Sequence, residues 1–181
     1  MIDPFDDAVV IALGSNLAGA YPSSETLLEA ALARLGELGL EVQACSCWWR
    51  SAAWPDAADP DFINGVALVN TVLSPHEVMA FLARVEREFG RTREMVNAPR
   101  TLDLDLIAHG RSVIEDPDLT LPHPRAHERR FVMGPLAQIA PAWRHPLSGM
   151  SAAELAPRAT IGADAAPIGH AALRKGEQTA I

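Results

Sequence analysis

A chain of 181 residues, 49% of them hydrophobic, is long enough to bury one good core and too short for two ordinary domains. Its formal net charge of −8 excludes a sequence-independent nucleic-acid binder, which needs a dominant basic surface, so a polyanionic ligand is accepted only where this charge is locally inverted. No apolar run approaches the roughly 18 residues of a membrane span, and the opening MIDPFDD is acidic where a secretory leader is basic, so a soluble cytoplasmic protein is expected.

Residues 8–13 (AVVIAL) are a short continuous apolar run that stops at Gly14-Ser15-Asn16, the pattern of a buried strand ending in a turn. Ser23 or Ser24 then stands where a helix is capped, Leu27, Leu28, Ala31, Leu35 and Leu38 fall on one side of it, and Gly36 and Gly39 mark its end. Residues 41–49 read as a second strand, 51–61 as a loop rich in Ala, Pro and Asp, and 62–73 (FINGVALVNTVL) as a third strand antiparallel to the second. On a regular strand Cys45 and Cys47 share a face; with no second Cys pair to complete a zinc site, they read as small semi-buried thiols in a reducing cytosol.

Ser74-Pro75-His76-Glu77 has the form of a capping box with proline at the first helical position. Val78, Phe81, Leu82, Val85 and Phe89 continue at helical spacing until Gly90. A basic stretch, 91–100, leads into 101–108 (TLDLDLIA), a fourth strand with Leu102, Leu104 and Leu106 on one face and Asp103 and Asp105 on the other. The order strand, helix, strand, strand, helix, strand predicts an α+β fold, a ferredoxin-like antiparallel sheet (βαββαβ) with its helices on one face. Beyond it come a short hairpin strand near 112–114, a proline-rich loop, an apolar segment at 131–139, and an Ala-rich end. The domain is expected to span 1–160, with 161–181 a loosely ordered C-terminal extension.

Two carboxylates at i and i+2 of a strand point the same way and repel each other unless a cation lies between them, for which a hard divalent ion such as magnesium is suited. An isolated DLD is more often a solvated strand face. Here Arg91, Arg93 and Arg100 precede the strand, and Arg125, Arg129 and Arg130 follow it, in a chain that is acidic on average. Guanidinium forks match phosphate oxygens, and phosphoryl transfer rests on positioning and charge neutralisation, so metal plus arginines points to magnesium-dependent phosphate transfer from ATP. His123, between two prolines and close to Thr120, is a candidate phosphate or ribose contact, although a lone loop histidine is more often structural. Gly14-Ser15-Asn16 offers backbone donors without the spacing or lysine of a Walker loop, and Phe62 and Phe131 could hold a flat ring or simply be core. Another nucleotidyl or phosphoryl transferase, or a non-catalytic ligand-binding module of the same fold, remains open on these residues alone.

The strings ALGSNL (12–17), DFIN (61–64), PRTLDLD (99–105) and LPHP (121–124), in this order and spacing, resemble the 6-hydroxymethyl-7,8-dihydropterin pyrophosphokinase family of folate biosynthesis. The resemblance covers about residues 8–147. It implies transfer of the β,γ-diphosphate of ATP to a pterin hydroxymethyl group, with two magnesium ions. It implies Asp103 and Asp105 as metal ligands, and Arg91 and Arg100 as the arginines that steady the transferred group. It implies Glu86, Arg93, Arg100, Thr120, His123 and Arg129 on the ATP side, and Gly14, Ser51, Ala52, Trp54, Phe62, Asn64 and Phe131 on the pterin side. The expected partners are ATP and a reduced pterin, with no nucleic acid or membrane, acting on a monomer. Two departures stand out: Ser51-Ala52-Ala53-Trp54 replaces a frequent Thr-Pro-Pro-Leu, and Asn97-Ala98 stands where many relatives place Trp-Gly. Trp54 is the candidate to seal the site in place of that tryptophan.

Overall fold

The computed structural model describes residues 7–53, 56–90 and 101–169. Strand β1 (Val9–Ser15) lies between β4 (Phe62–Asn70) and β5 (Asp103–His109), antiparallel to both. Beyond β4 lie β2 (Glu41–Cys45) and β3 (Trp48–Ser51), again antiparallel to it. The first helix, α1 (Ser24–Glu37), is capped by the Ser23 side chain, which accepts the Thr26 N–H, and the chain leaves it through Gly39 at φ +86°, a conformation that suits glycine. The second, α2 (Pro75–Glu88), opens with the expected capping box, Ser74 and Glu77 each satisfying a backbone N–H of the other. Leu27, Leu28, Leu35, Val78, Leu82 and Val85 from these helices pack on Val9, Ile11, Leu13, Val69, Leu104 and Leu106 in one core.

Five expectations need correction. The second strand is not continuous. Cys45 pairs with Ala67 but Trp49 with Asn64, so four steps along this edge match three on β4. At the break Ser46 exchanges bonds with Val66, donating its N–H to the Val66 carbonyl and accepting the Val66 N–H on Oγ, while the Trp48 ring packs against Gly65, where a Cβ would fall 2.6 Å from it. The extra residue places Cys45 in the core under α1 and α2, and Cys47 with Trp49 and Ala165 on the opposite side, so the thiols do not share a face. Burial, reinforced by Cys47, pushes the Cys45 thiol up to about 12, which leaves it inert.

The helices are not confined to one face. The segment 131–139 belongs to α3 (Arg130–Ile139), which with α4 (Ala152–Leu155) seals a second core on Val10, Ala12, Val66, Leu68 and Ile107. The hairpin after β5 falls later than expected, as β6 (Ile114–Asp116) and β7 (Leu119–Leu121). Finally, residues 161–169 are not a loose tail: β8 (Ala166–Ile168) pairs with β3 and extends the sheet, giving the order β5-β1-β4-β3-β8 with β2 also on β4. Residues 170–181 lie outside the described residues. Among the described residues no helix is long and apolar enough to cross a membrane.

Candidate active site

Strand alternation carries Asp103, Asp105 and Ile107 to the α3 side of the sheet, where Ile107 is buried under the second core and the two aspartates, half-buried, emerge beyond it. The pairing register then aligns Asp103, Gly14, Asn64 and Trp49 in one row across β5, β1, β4 and β3. Asp105 is opposite Ala12 in the neighbouring row. Adjacent strands are about 4.8 Å apart, so Asp103 and Asn64, two strands apart, stand about 10 Å from each other at the backbone. Gly14 between them keeps the floor low, since a Cβ there would approach Asn64 Oδ1 to 3.3 Å and Phe62 Cδ1 to 4.0 Å.

A cleft of ≈ 820 Å³ opens over this floor. At one end stand Asp103 and Asp105, with Arg125 and Arg129; at the other, Phe62, Asn64, Ser51 and Ala52; Phe131 and residues 160–164 complete the wall. Asn64 is buried and donates from Nδ2 to Ser51 Oγ at 3.0 Å, which fixes its amide plane. Arg129 donates to Asp105 Oδ2 at 3.4 Å while its guanidinium lies 5.9 Å from the centre of the Phe131 ring, so it stands between the acidic end and the aromatic wall. Among the described residues no set of three or more His, Cys, Asp or Glu side chains gathers into a metal cage. Asp103 and Asp105 offer two adjacent hard oxygen donors, the ligand type that suits magnesium, which commonly takes one or two protein carboxylates beside water and phosphate.

His123 is anchored by its backbone, which donates to the Ile107 carbonyl, and by Nδ1, which accepts the Arg125 N–H. Burial, the dominant influence, holds its pKa below the usual histidine value; the nearby Asp105 pulls it up and Arg129 pushes it down. With Nδ1 occupied as an acceptor, the neutral ring carries its proton on Nε2 and serves as a donor.

The structure thus brings together Gly14, Ser51, Ala52, Phe62, Asn64, Phe131, Asp103, Asp105 and Arg129 in one cleft. Glu86 does not line it: this carboxylate is buried beneath β5 and accepts the Leu104 N–H at 2.8 Å, holding the strand that carries the aspartates. Thr120 is exposed on β7, away from the lining. The roles expected of Trp54, Arg91, Arg93 and Arg100 fall on positions outside the described residues. Sequence reasoning missed the wall from Thr160 to Asp164, and with it Asp59 and Val132. Gly162-Ala163-Asp164 carries a turn signal, but nothing in its neighbourhood tells that the turn returns to β3.

Residues 10–141 match the model of the family described as 7,8-dihydro-6-hydroxymethylpterin-pyrophosphokinase. The chain is 42% identical over 147 residues to a 2-amino-4-hydroxy-6-hydroxymethyldihydropteridine pyrophosphokinase of Synechocystis sp., covering 81% of this chain and 73% of that one. It is 40% identical over 138 residues to the protein of the same name from Pseudomonas aeruginosa, covering 76% and 83% respectively. A crystal structure of Plasmodium falciparum HPPK-DHPS superposes with a TM-score of 0.65 at 12% identity, a likeness of fold, covering 83% of this chain and 45% of that chain. The chain thus spans less than half the length of that structural relative.

Proposed function

The chain belongs to the 7,8-dihydro-6-hydroxymethylpterin-pyrophosphokinase family, and from that premise we propose that its cleft transfers the diphosphate of ATP to the hydroxymethyl group of 6-hydroxymethyl-7,8-dihydropterin, yielding AMP and the pterin diphosphate in folate biosynthesis. The observation that carries this reading is the row Asp103–Gly14–Asn64. A carboxylate pair suited to a magnesium-bound polyphosphate and an amide suited to the edge of a heterocycle face one cleft, separated by the smallest side chain.

Each described residue then has a chemical task. Asp103 and Asp105 would hold magnesium, two ions on this reading, which would supply neutralisation of the polyphosphate charge and polarisation of the transferred phosphorus. Phe62 and Phe131 bracket the pterin ring, and Asn64, held by Ser51, presents its remaining amide valences to the ring edge. Arg129 neutralises phosphate charge beside Asp105, and the neutral His123 donates from Nε2 to the nucleotide side. Arg91, Arg93 and Arg100 are assigned to the polyphosphate, with Arg100 three positions before Asp103. Catalysis on this reading is positioning and charge neutralisation, with no covalent intermediate on the protein.

The antiparallel order β5-β1-β4-β3, with α1 and α2 together on one face, supports a ferredoxin-like core to which α3, α4 and β8 are added. We further read the protein as a cytoplasmic monomer; both cysteines are buried and unbridged, which suits a reducing compartment. The test is to incubate the purified chain with Mg-ATP, with and without the reduced hydroxymethylpterin, and to separate the nucleotides. Pterin-dependent AMP that EDTA abolishes supports the reading. Formation of ADP, or no turnover of either kind, would overturn it.

A further inference from the structure

Residues 160–168 lie beyond the segment that matches the family model, residues 10–141, yet the first five of them, 160–164, build a wall of the cleft. Three anchors hold this strap. At its start, Ile161 pairs with Arg129: the Arg130 N–H donates to the Ile161 carbonyl at 2.8 Å, and the Ile161 N–H to the Glu128 carbonyl at 2.9 Å. At its bend, Gly162 takes φ +66° and lies against Phe131 so closely that a Cβ would meet Cδ1 of the ring at 2.5 Å. At its end, β8 pairs with β3, Ala166 with Arg50 through Ile168 with Trp48. The strap therefore ties the start of α3, the aromatic wall and the outer edge of β3 into one frame.

From this frame Asp164 reaches across and accepts the Ala52 N–H on Oδ2 at 2.6 Å. Ala52 is the first residue past β3, adjacent to the Ser51 that holds Asn64, and the stretch Ser51–Ala53 lines the cleft with no proline of its own to restrict it. A backbone leaving a strand end without such a restraint retains conformational freedom that must be lost when a ligand edge is bound.

Resting on the pterin reading of this end of the cleft, we propose that Asp164 is a positioning residue: its carboxylate fixes the Ala52 amide, and so pre-orders the Ser51–Ala53 stretch and the Asn64 amide that meet the pterin edge. The residue touches neither ATP nor the transferred group. Its loss therefore acts on pterin binding and leaves the chemical step alone.

The experiment compares Asp164→Ala with Asp164→Asn, which keeps an oxygen acceptor, in the full chain. It measures KM for pterin and for ATP, kcat, pterin Kd by fluorescence without ATP, and exchange of the Ala52 amide by NMR. Asp164→Ala is expected to raise pterin KM and Kd roughly 5-fold, the scale of one hydrogen bond near solvent, with kcat and ATP KM within about twofold, and to speed Ala52 exchange; Asp164→Asn restores all of these. Ala52→Pro removes the donor instead of the acceptor and keeps the strap intact, so adding Asp164→Ala in that background is expected to change pterin KM by less than about twofold. Equal effects of Asp164→Ala in both backgrounds, unchanged pterin Kd, or a loss shared between kcat and ATP KM would overturn the proposal. Absence of AMP from the unaltered chain would sink the pterin reading instead, while Ala52 exchange would still decide whether the clamp exists.

Discussion

The two faces of the sheet bury cores of similar make-up and serve different ends. On one, two helices of 14 residues each, both capped by serine, lay continuous leucine and valine stripes over alternate residues of β1, β4 and β5, and the face is closed. On the other, the 10-residue α3 and the four-residue α4 cover only part of the sheet, and the cleft occupies the rest. The same strands thus send Leu104 and Leu106 into a sealed core and Asp103 and Asp105 into an open site. A site of this kind needs one face complete, because the register that aligns Asp103, Gly14 and Asn64 is held in place by what is packed behind it.

The comparison predicts that substitutions on the open face cost function and those on the closed face cost stability. The largest effect is expected at the acidic pair: Asp103→Asn or Asp105→Asn lowers AMP formation by at least about 1000-fold in an assay with Mg-ATP and the pterin. Near-normal turnover in either variant would break the metal assignment. On the closed face, Leu28→Ala at a position 0% exposed is expected to cost about 2–5 kcal/mol in urea unfolding, with kcat/KM of the folded protein unchanged. Gly162→Ala, on the strap, combines a positive φ with a collision against Phe131; a loss of about 1–2 kcal/mol and a raised pterin KM are expected, and a gain in stability would contradict the close packing.

The smallest effect is a pH dependence beneath the open face. Burial, then His127 and Arg111, depress the His145 pKa below 6.5, and its Nδ1 accepts the N–H groups of Leu147 and Ser148, which protonation would break. The unfolded chain binds this proton more readily, so the stabilisation is complete above the unfolded value and is lost as pH falls through the folded one. Urea unfolding at pH 7.5 and 5.5 should show a decline of about 1 kcal/mol or less that His145→Gln diminishes; an equal decline in both proteins would remove His145 as its source.

Much of this was legible in the chain itself. The stripe from Leu27 to Leu35, the Ser74–Glu77 box and the LDLDL alternation are short-range patterns, and each was realised where the pattern placed it. Asp103, Asp105, Phe62, Asn64 and Phe131, each a candidate from the sequence or from its resemblance, meet in the cleft. What failed is instructive in the same terms. The strand at 41–49 breaks because Ser46 bonds to Val66 and Trp48 needs the space above Gly65, contacts with residues about twenty positions away that no local periodicity records. Glu86, for which the resemblance implies an ATP contact, lies buried and holds the Leu104 N–H.

By itself, then, the sequence determined the core α+β order, both long helices with their caps, and the identity of the carboxylate pair, because these depend on period and on chemistry carried by neighbours along the chain. Only the tertiary structure decided that Asp103 and Asn64 share one row with Asp105 in the next, that α3 covers only part of the second face, and that an Ala-rich segment returns as β8 to set Asp164 against Ala52. The reason is physical: register and strand addition arise from pairing between segments distant in sequence, and a weakly patterned stretch takes its structure from the edge it finds rather than from its own residues.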